Sequence, residues 1–282
     1  MPCLTLRHDQ PFSLDATLSC GQVFRWNRMD DSWWYGVVGD RVIRIRQDGN
    51  RLTYEGAPAS FIVHYFSLDT DLVAILNSID TDPFIHACIE KNRGLRLVRQ
   101  PPWECTISYI CSTNSNIPTI RRRIASIAEK FGKRIEFRGR VYHTFPEPSS
   151  IICEGHSGLT ECRLGYRQSY VFGTSSSVTN AKDWANAISR LPYADARKEL
   201  MTLEGVGPKA ADCILLFAFQ KYEAFPVDVW IRRIMAEHYL PELSADTPLT
   251  NRDYDTIHRF ARRHFGNYCG WAQEYLYAGR VR

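Results

Sequence analysis

The spacing of apolar positions changes character along this chain. Residues 32–38 are aromatic and β-branched and stop at Gly39-Asp40. Residues 41–46 alternate, with Ile43 and Ile45 on one face and Val42, Arg44 and Arg46 on the other. A period of two marks a strand, because successive side chains leave opposite faces. Asp48-Gly49-Asn50 is a hairpin turn, and residues 52–55 form the return strand. A twisted antiparallel sheet is expected here. Helical spacing begins after Phe61, with Tyr65, Leu72, Ile75, Leu76 and Ile79. Beyond residue 103, apolar residues recur three and four apart in 117–131, 181–191, 209–220, 229–239 and 254–265. Gln100-Pro101-Pro102 separates the two regimes, since a residue before proline leaves the helical region. The expected fold class is α+β, a sheet domain over residues 1–100 followed by an all-helical domain over residues 101–282. Ser175-Ser176-Ser177 reads as the approach to a helix.

Of the 282 residues, 44% are hydrophobic and 23% charged, which excludes a mostly disordered chain. The longest strongly apolar run, from Cys213 to Phe219, is far short of the ~18–20 residues of a membrane span. Residues 1–14 lack a signal-peptide core. Nine cysteines without CxxC spacing read as reduced intracellular thiols, neither a disulfide framework nor a cysteine-held metal site. A net charge of +4 permits a nucleic-acid partner if the basic clusters at 91–99, 121–123 and 130–140 share a face. Each cluster alone also fits an ordinary solvated helix face.

The stretch that carries chemistry is Leu203-Glu204-Gly205-Val206-Gly207-Pro208-Lys209-Ala210-Ala211-Asp212, a two-glycine turn inside a hairpin over residues 197–220. Without Cβ atoms, the backbone N–H groups of such a turn come close to an external group. The N-terminus of the second helix is then a ready site for a phosphate. The end of the first helix leaves carbonyls, those of Met201, Leu203 and Val206, that suit a monovalent cation. An ordinary corner between helices accounts for the glycines equally well. Ala210 and Ala211 keep the second helix slim. Lys209 stands where the helix dipole disfavours a further positive charge, which favours the uncharged, nucleophilic amine. Phe225-Pro226-Val227-Asp228-Val229 places a carboxylate at another helix start, as an N-cap or as a partner of the lysine. A lysine and an aspartate on neighbouring helix starts, beside a phosphate-binding turn, suggest attack on a sugar next to a phosphate.

Four further segments occur in order around these: Cys20-Gly21-Gln22-Val23-Phe24-Arg25-Trp26, Ile110-Cys111-Ser112-Thr113-Asn114-Ser115-Asn116-Ile117, Leu164-Gly165-Tyr166-Arg167 and Gly270-Trp271-Ala272-Gln273. Together the five motifs resemble the 8-oxoguanine DNA glycosylases of the helix-hairpin-helix superfamily, over residues 12–282. The resemblance implies a monomeric enzyme acting on double-stranded DNA that contains 8-oxoguanine. Lys209 would attack C1′, Asp228 would stabilise the developing sugar charge, and the Schiff base would let the 3′ phosphate leave by β-elimination. No metal or redox cofactor takes part in that chemistry. Cys269 stands alone near the C-terminus, unlike the four-cysteine set of the iron–sulfur members.

The resemblance also assigns the base pocket. A backbone acceptor at Gly21 would read the protonated N7 of the lesion, and Gln273 its Watson–Crick edge. Cys213 and Tyr277 would sandwich the ring, with Phe217 beside them. Asn114 would fill the vacated space, Tyr166 would wedge into the stack, and Arg167 would reach the orphaned partner base. Gly205 and Gly207 would hold the DNA backbone. Three positions depart from the family. Thr119 replaces an arginine that helps recognise the partner cytosine, Trp230 replaces a histidine that contacts the backbone, and Glu204 replaces the hairpin proline. The missing arginine implies a weak opposite-base preference. Two other readings stay open: an enzyme of this fold acting on another lesion, and a non-catalytic DNA-binding hairpin in which Lys209 only touches phosphate.

Overall fold

A computed structural model describes residues 1–29, 32–181, 183–244 and 249–280. Lys182, in the segment expected to be helical over 181–191, and Arg282, the far end of the resemblance, lie outside the described residues. Five strands, β1 (Cys3–Thr5), β2 (Trp26–Arg28), β3 (Trp34–Val38), β4 (Arg41–Asp48) and β5 (Arg51–Glu55), form an antiparallel sheet in the order β1-β5-β4-β3-β2. The β4–β5 hairpin closes with Asp48 opposite Arg51. Beneath the sheet, Trp26, Ile43, Ile45 and Leu52 pack with Tyr65 and Phe66. Gly36 faces Trp26 in register, and a Cβ there would fall 2.3 Å from the indole. Only glycine lets the ring lie against β3.

The helical core does not stop at residue 100. Helices Leu72–Ile79 and Pro83–Lys91 bury Leu72, Ile75, Ile79, Ile85 and Ile89 in one cluster with the later helices. A Cβ on Gly279 would fall 2.5 Å from Cys88 Sγ, so the helix Cys269–Gly279 lies directly on Pro83–Lys91. Nor is the C-terminal half all-helical. Strands β6 (Arg134–Phe137) and β7 (Arg140–His143) form a ribbon whose turn residue Arg138 pairs with Glu55 of β5 at 3.1 Å. The serine triplet sits inside the helix Arg167–Asn180, not ahead of one. Its polarity is absorbed locally, because the Ser175 and Ser177 hydroxyls donate to the carbonyls of Val171 and Gly173 one turn back.

Buried polar groups join the two halves. Arg96 donates to the carbonyls of Ser67, Thr70 and Pro11. The Gln22 amide donates to the carbonyls of Thr17 and Arg96 and accepts from Val98 N–H. These bonds pin the Cys20-Gly21-Gln22 loop. They also correct the reading of the basic cluster at 91–99, where Arg96 is internal and Arg99 is paired with Asp69 at 2.8 Å. All nine cysteines are free thiols. Among the described residues, no helix is long and apolar enough to cross a membrane.

Candidate active site

The hairpin runs from helix Tyr193–Leu200 to helix Pro208–Phe219, with Pro208 in the first turn, where its missing N–H leaves no bond unmade. Gly205 has φ +77°, and a Cβ on it would lie 2.7 Å from the Tyr170 side chain. Gly207 is open, and a Cβ there would meet nothing within 4 Å. The buried carboxylate of Asp212 ties the two helices together. It accepts from Tyr193 Oη at 2.7 Å, from Arg197 Nε at 3.1 Å, and from Tyr254 Oη. Of the three carbonyls expected to suit a cation, that of Leu203 accepts from Val206 N–H at 3.1 Å.

Lys209, in the first turn of the second helix, enters a cavity of about 110 Å³. Its Nζ lies 3.4 Å from Ser112 Oγ and 5.1 Å from the centre of the Tyr109 ring, a cation–π distance. Asp228 lines the same cavity from the start of helix Val229–His238. Its Oδ1 accepts both Trp230 N–H at 3.0 Å and Ile231 N–H at 2.8 Å. Both capping bonds fall on one oxygen, so the cap and a role for Oδ2 in the cavity are compatible.

The walls are apolar with a few polar atoms. Cys213 follows Lys209 by one turn, and burial pushes its thiol up to about 12, so it presents a neutral, polarisable surface. Phe217 stacks on Tyr109 with ring centres 5.8 Å apart and planes within 9°. Tyr277 faces them across the cavity mouth, with the Arg280 guanidinium 3.6 Å from its ring centre. Gly21 has φ +111°, and a Cβ on it would lie 3.2 Å from Ile117 Cδ1 and 3.6 Å from the Tyr277 ring. A side chain would be strained there and would crowd the cavity. Gln273 and Glu274 are 5% and 3% exposed, and each has a buried Oε1 without a hydrogen-bond partner. Burial also pushes the Glu274 carboxyl up to about 7. Unsatisfied buried acceptors are costly, and the donors of a ligand would relieve them.

The cavity opens into a cleft of about 1150 Å³ that shares Gly21, Ser112, Lys209, Asp228 and Tyr277 with it. Asn114, Gly205, Gly207 and Trp230 line this cleft together with Arg121 and Arg280. Asn114, at φ +48°, donates to Tyr166 Oη at 3.5 Å. Tyr166 and Trp230 are 52% and 44% exposed, large apolar rings left facing water. Exposed aromatics beside cations suit a stacked, charged polymer.

Two expected contacts lie elsewhere. Arg167 is buried, and its guanidinium donates to the carbonyls of Thr113, Leu164 and Asn114. It therefore holds the Asn114 loop in place and does not reach outward. Thr119 lines neither cavity nor cleft, and its Oγ1 accepts from Arg122 at 3.1 Å. Glu204 rests against the neighbouring helix, where a Cβ on Gly173 would fall 2.1 Å from its carboxylate. Within the cluster 121–123, Arg121 lines the cleft, whereas Arg123 donates to the Cys111 carbonyl and to Ser115. Within 130–140, Lys130 pairs with Glu161 and Arg134 with Glu136. Tyr109, Ser112 and Glu274 are cavity residues without an expected role. Ser112 stood inside a motif, and the other two stood immediately beside one.

The family model of the 8-oxoguanine DNA glycosylase N-terminal domain matches residues 5–106. A probable N-glycosylase/DNA lyase of Methanothermobacter thermautotrophicus is 35% identical over 236 residues, covering 77% of this chain and 72% of that protein. The N-glycosylase/DNA lyase of Saccharomyces cerevisiae is 30% identical over 312 residues, covering 95% and 83%. Among solved structures, the apo form of Clostridium acetobutylicum 8-oxoguanine glycosylase/lyase superposes with a TM-score of 0.90 at 31% identity, covering 99% of this chain and 97% of that one. The complex of that enzyme with double-stranded DNA containing cytosine opposite 8-oxoguanine superposes with a TM-score of 0.88.

Proposed function

Because the chain belongs to the 8-oxoguanine DNA glycosylase family, we propose that it releases 8-oxoguanine from duplex DNA and then cleaves the strand by β-elimination. DNA lies along the cleft and the damaged nucleotide rotates into the cavity, at an unstacking cost of a few kcal/mol. The Lys209 amine attacks C1′, forming a nitrogen–carbon bond as the glycosidic bond breaks and its electron pair leaves with the base. Oδ2 of Asp228 faces the positive charge that develops on the sugar. Loss of a proton from nitrogen and opening of the ring give the Schiff base. That group acidifies the C2′ proton, and its removal expels the 3′ phosphate.

The observation that carries this reading is the shared opening. A helix-start lysine and a capping aspartate line one cavity, at the edge of a cleft that contains the hairpin glycines. The test is Lys209→Gln, which keeps length and polarity but removes the nucleophile. Base release and the borohydride-trapped adduct should vanish while lesion-DNA binding persists. Near-wild-type excision by this variant refutes the assignment, and so does a wild-type protein that traps nothing.

Partner-base discrimination should be weak. Thr119 offers a single hydroxyl, which already accepts from Arg122, and Arg167 is bound to carbonyls, so neither offers the fixed bidentate contact that gives about 1–3 kcal/mol of selectivity. Single-turnover excision opposite the four bases should agree within about fivefold, and a hundredfold preference for cytosine would contradict this.

A further inference from the structure

The reading above gives no task to Tyr109, Ser112 or Glu274, and of these the Tyr109 and Ser112 hydroxyls already donate to carbonyls, whereas Glu274 Oε1 has no partner. Gln273 presents one NH2 group and one carbonyl oxygen whichever way its amide is turned. The Watson–Crick edge of a guanine presents three groups in a row: the O6 acceptor, the N1–H donor and the 2-amino donor. A single planar amide can pair its two ends with O6 and N1–H, and its oxygen reaches the 2-amino group only by sharing with N1–H, so a second acceptor beside it would complete the edge. The next residue, Glu274, lines the same cavity, is 3% exposed, and has an Oε1 with no hydrogen-bond partner. It neighbours Gln273 on the helix Cys269–Gly279, and Gly21 lines the same cavity. The carboxyl is thus buried in the same cavity as the two groups assigned to reading the base.

We propose that Glu274 is a specificity-determining residue whose Oε1 accepts a hydrogen bond from the 2-amino group of the extruded purine. This inference rests on the proposed 8-oxoguanine activity and adds a second acceptor to the edge that Gln273 reads. The environment agrees with it. Without a ligand, burial and the neighbouring Asp228 hold the carboxyl in its protonated form up to about pH 7. An N–H donor arriving at Oε1 supplies what that environment lacks and favours the carboxylate.

The experiment compares excision of 8-oxoguanine with that of 8-oxohypoxanthine, the same base without its 2-amino group, each opposite cytosine under single-turnover conditions. The enzymes are the wild type, Glu274→Leu and Glu274→Gln. Comparing ratios between enzymes cancels the easier extrusion of the analogue, whose pair with cytosine has one hydrogen bond fewer. A hydrogen bond to a charged group corresponds to about tenfold or more. Glu274→Leu should slow 8-oxoguanine excision by about that factor and leave 8-oxohypoxanthine unchanged, lowering the ratio about tenfold. Glu274→Gln retains a carbonyl acceptor and should lower the ratio only a few-fold; it also carries the test if the leucine variant fails to fold. An unchanged ratio in the variants, with 8-oxoguanine still excised, overturns the role of Glu274 and leaves the enzyme assignment standing. Equal slowing on both substrates does the same, since it marks a purely structural effect. Absence of wild-type excision of 8-oxoguanine overturns both.

Discussion

Replacing Glu274 by glutamine should stabilise the unliganded protein by an amount that grows with pH. Inside the fold the carboxyl is held at about 7 instead of its ordinary 4.5, chiefly because burial penalises the charged form, with Asp228 adding to the penalty. The Cys20 thiol and Arg280 act in the opposite direction and only partly offset it. Below pH 4.5 the folded and unfolded chains are both protonated, and the residue costs nothing extra. Between 4.5 and 7 the unfolded chain ionises while the folded one does not, so stability falls as pH rises. Above about 7 both are ionised, and the loss levels off at about 3 kcal/mol, at about 1.36 kcal/mol per pKa step. For a chain of this length that corresponds to about 5 °C in Tm. The amide of glutamine has nearly the same shape and no charge to bury. Thermal unfolding of both proteins from about pH 5 to about pH 8.5 reads the effect directly, because every other titrating group cancels in the difference. The variant should gain over the wild type as pH rises to 7 and hold a constant advantage above it. Parallel curves, or an advantage that grows toward acid, would refute the buried-carboxyl reasoning.

Asp212→Ala should destabilise the fold by about 3–5 kcal/mol, seen as a lower urea midpoint at unchanged m-value, because Arg197 and two tyrosine hydroxyls lose their common acceptor. Gly21→Ala imposes φ +111° on a side chain that meets Ile117 at 3.2 Å. It should cost about 1–3 kcal/mol of stability and slow lesion excision, while leaving affinity for undamaged duplex within about twofold. The cations of the cleft are Lys209, Arg121 and Arg280, so the log–log dependence of duplex affinity on salt should have a slope of about −3. A flat dependence would mean the cleft is not the DNA site, and a slope beyond about −6 would mean that the other basic clusters also bind phosphate.

What could be read from the residues depended on whether an element has two unlike faces. The helix Ile117–Phe131 carries buried isoleucines against an arginine face, and its limits agree with those read from spacing. The strands around Ile43 and Ile45 were equally clear, because a Gly-containing turn fixes their register. The helix Pro102–Ser112 is buried from Cys105 to Ser112 on every side, so no polar face gave it a period. The helix Arg167–Asn180 hides its polarity in serine and threonine hydroxyls that bond backward, so its serine triplet read as the approach to a helix and not as part of one. At the site, Lys209, Asp228, Gly21, Cys213, Phe217, Gln273 and Tyr277 stand around one cavity. The burial of Arg167 was not visible in advance, since its partners are carbonyls and every residue has one. Glu274 escaped notice for the opposite reason: a lone glutamate on a helix ordinarily faces water.

Gly21 and Tyr277 lie at opposite ends of the chain yet meet across the cavity mouth, where a Cβ on the glycine would sit 3.6 Å from the tyrosine ring. During synthesis the sheet and Gly21 come first, and Lys209 is made well before the helix Cys269–Gly279. At about 5–20 residues per second, Tyr277 trails Lys209 by roughly 3–14 s. Through that interval the chain contains Lys209, Ser112 and Tyr109 but neither Gln273 nor Tyr277, two residues of the same cavity wall. The cavity is thus completed last: a chain that ends before the helix Cys269–Gly279 lacks Gln273, Glu274 and Tyr277 from its wall.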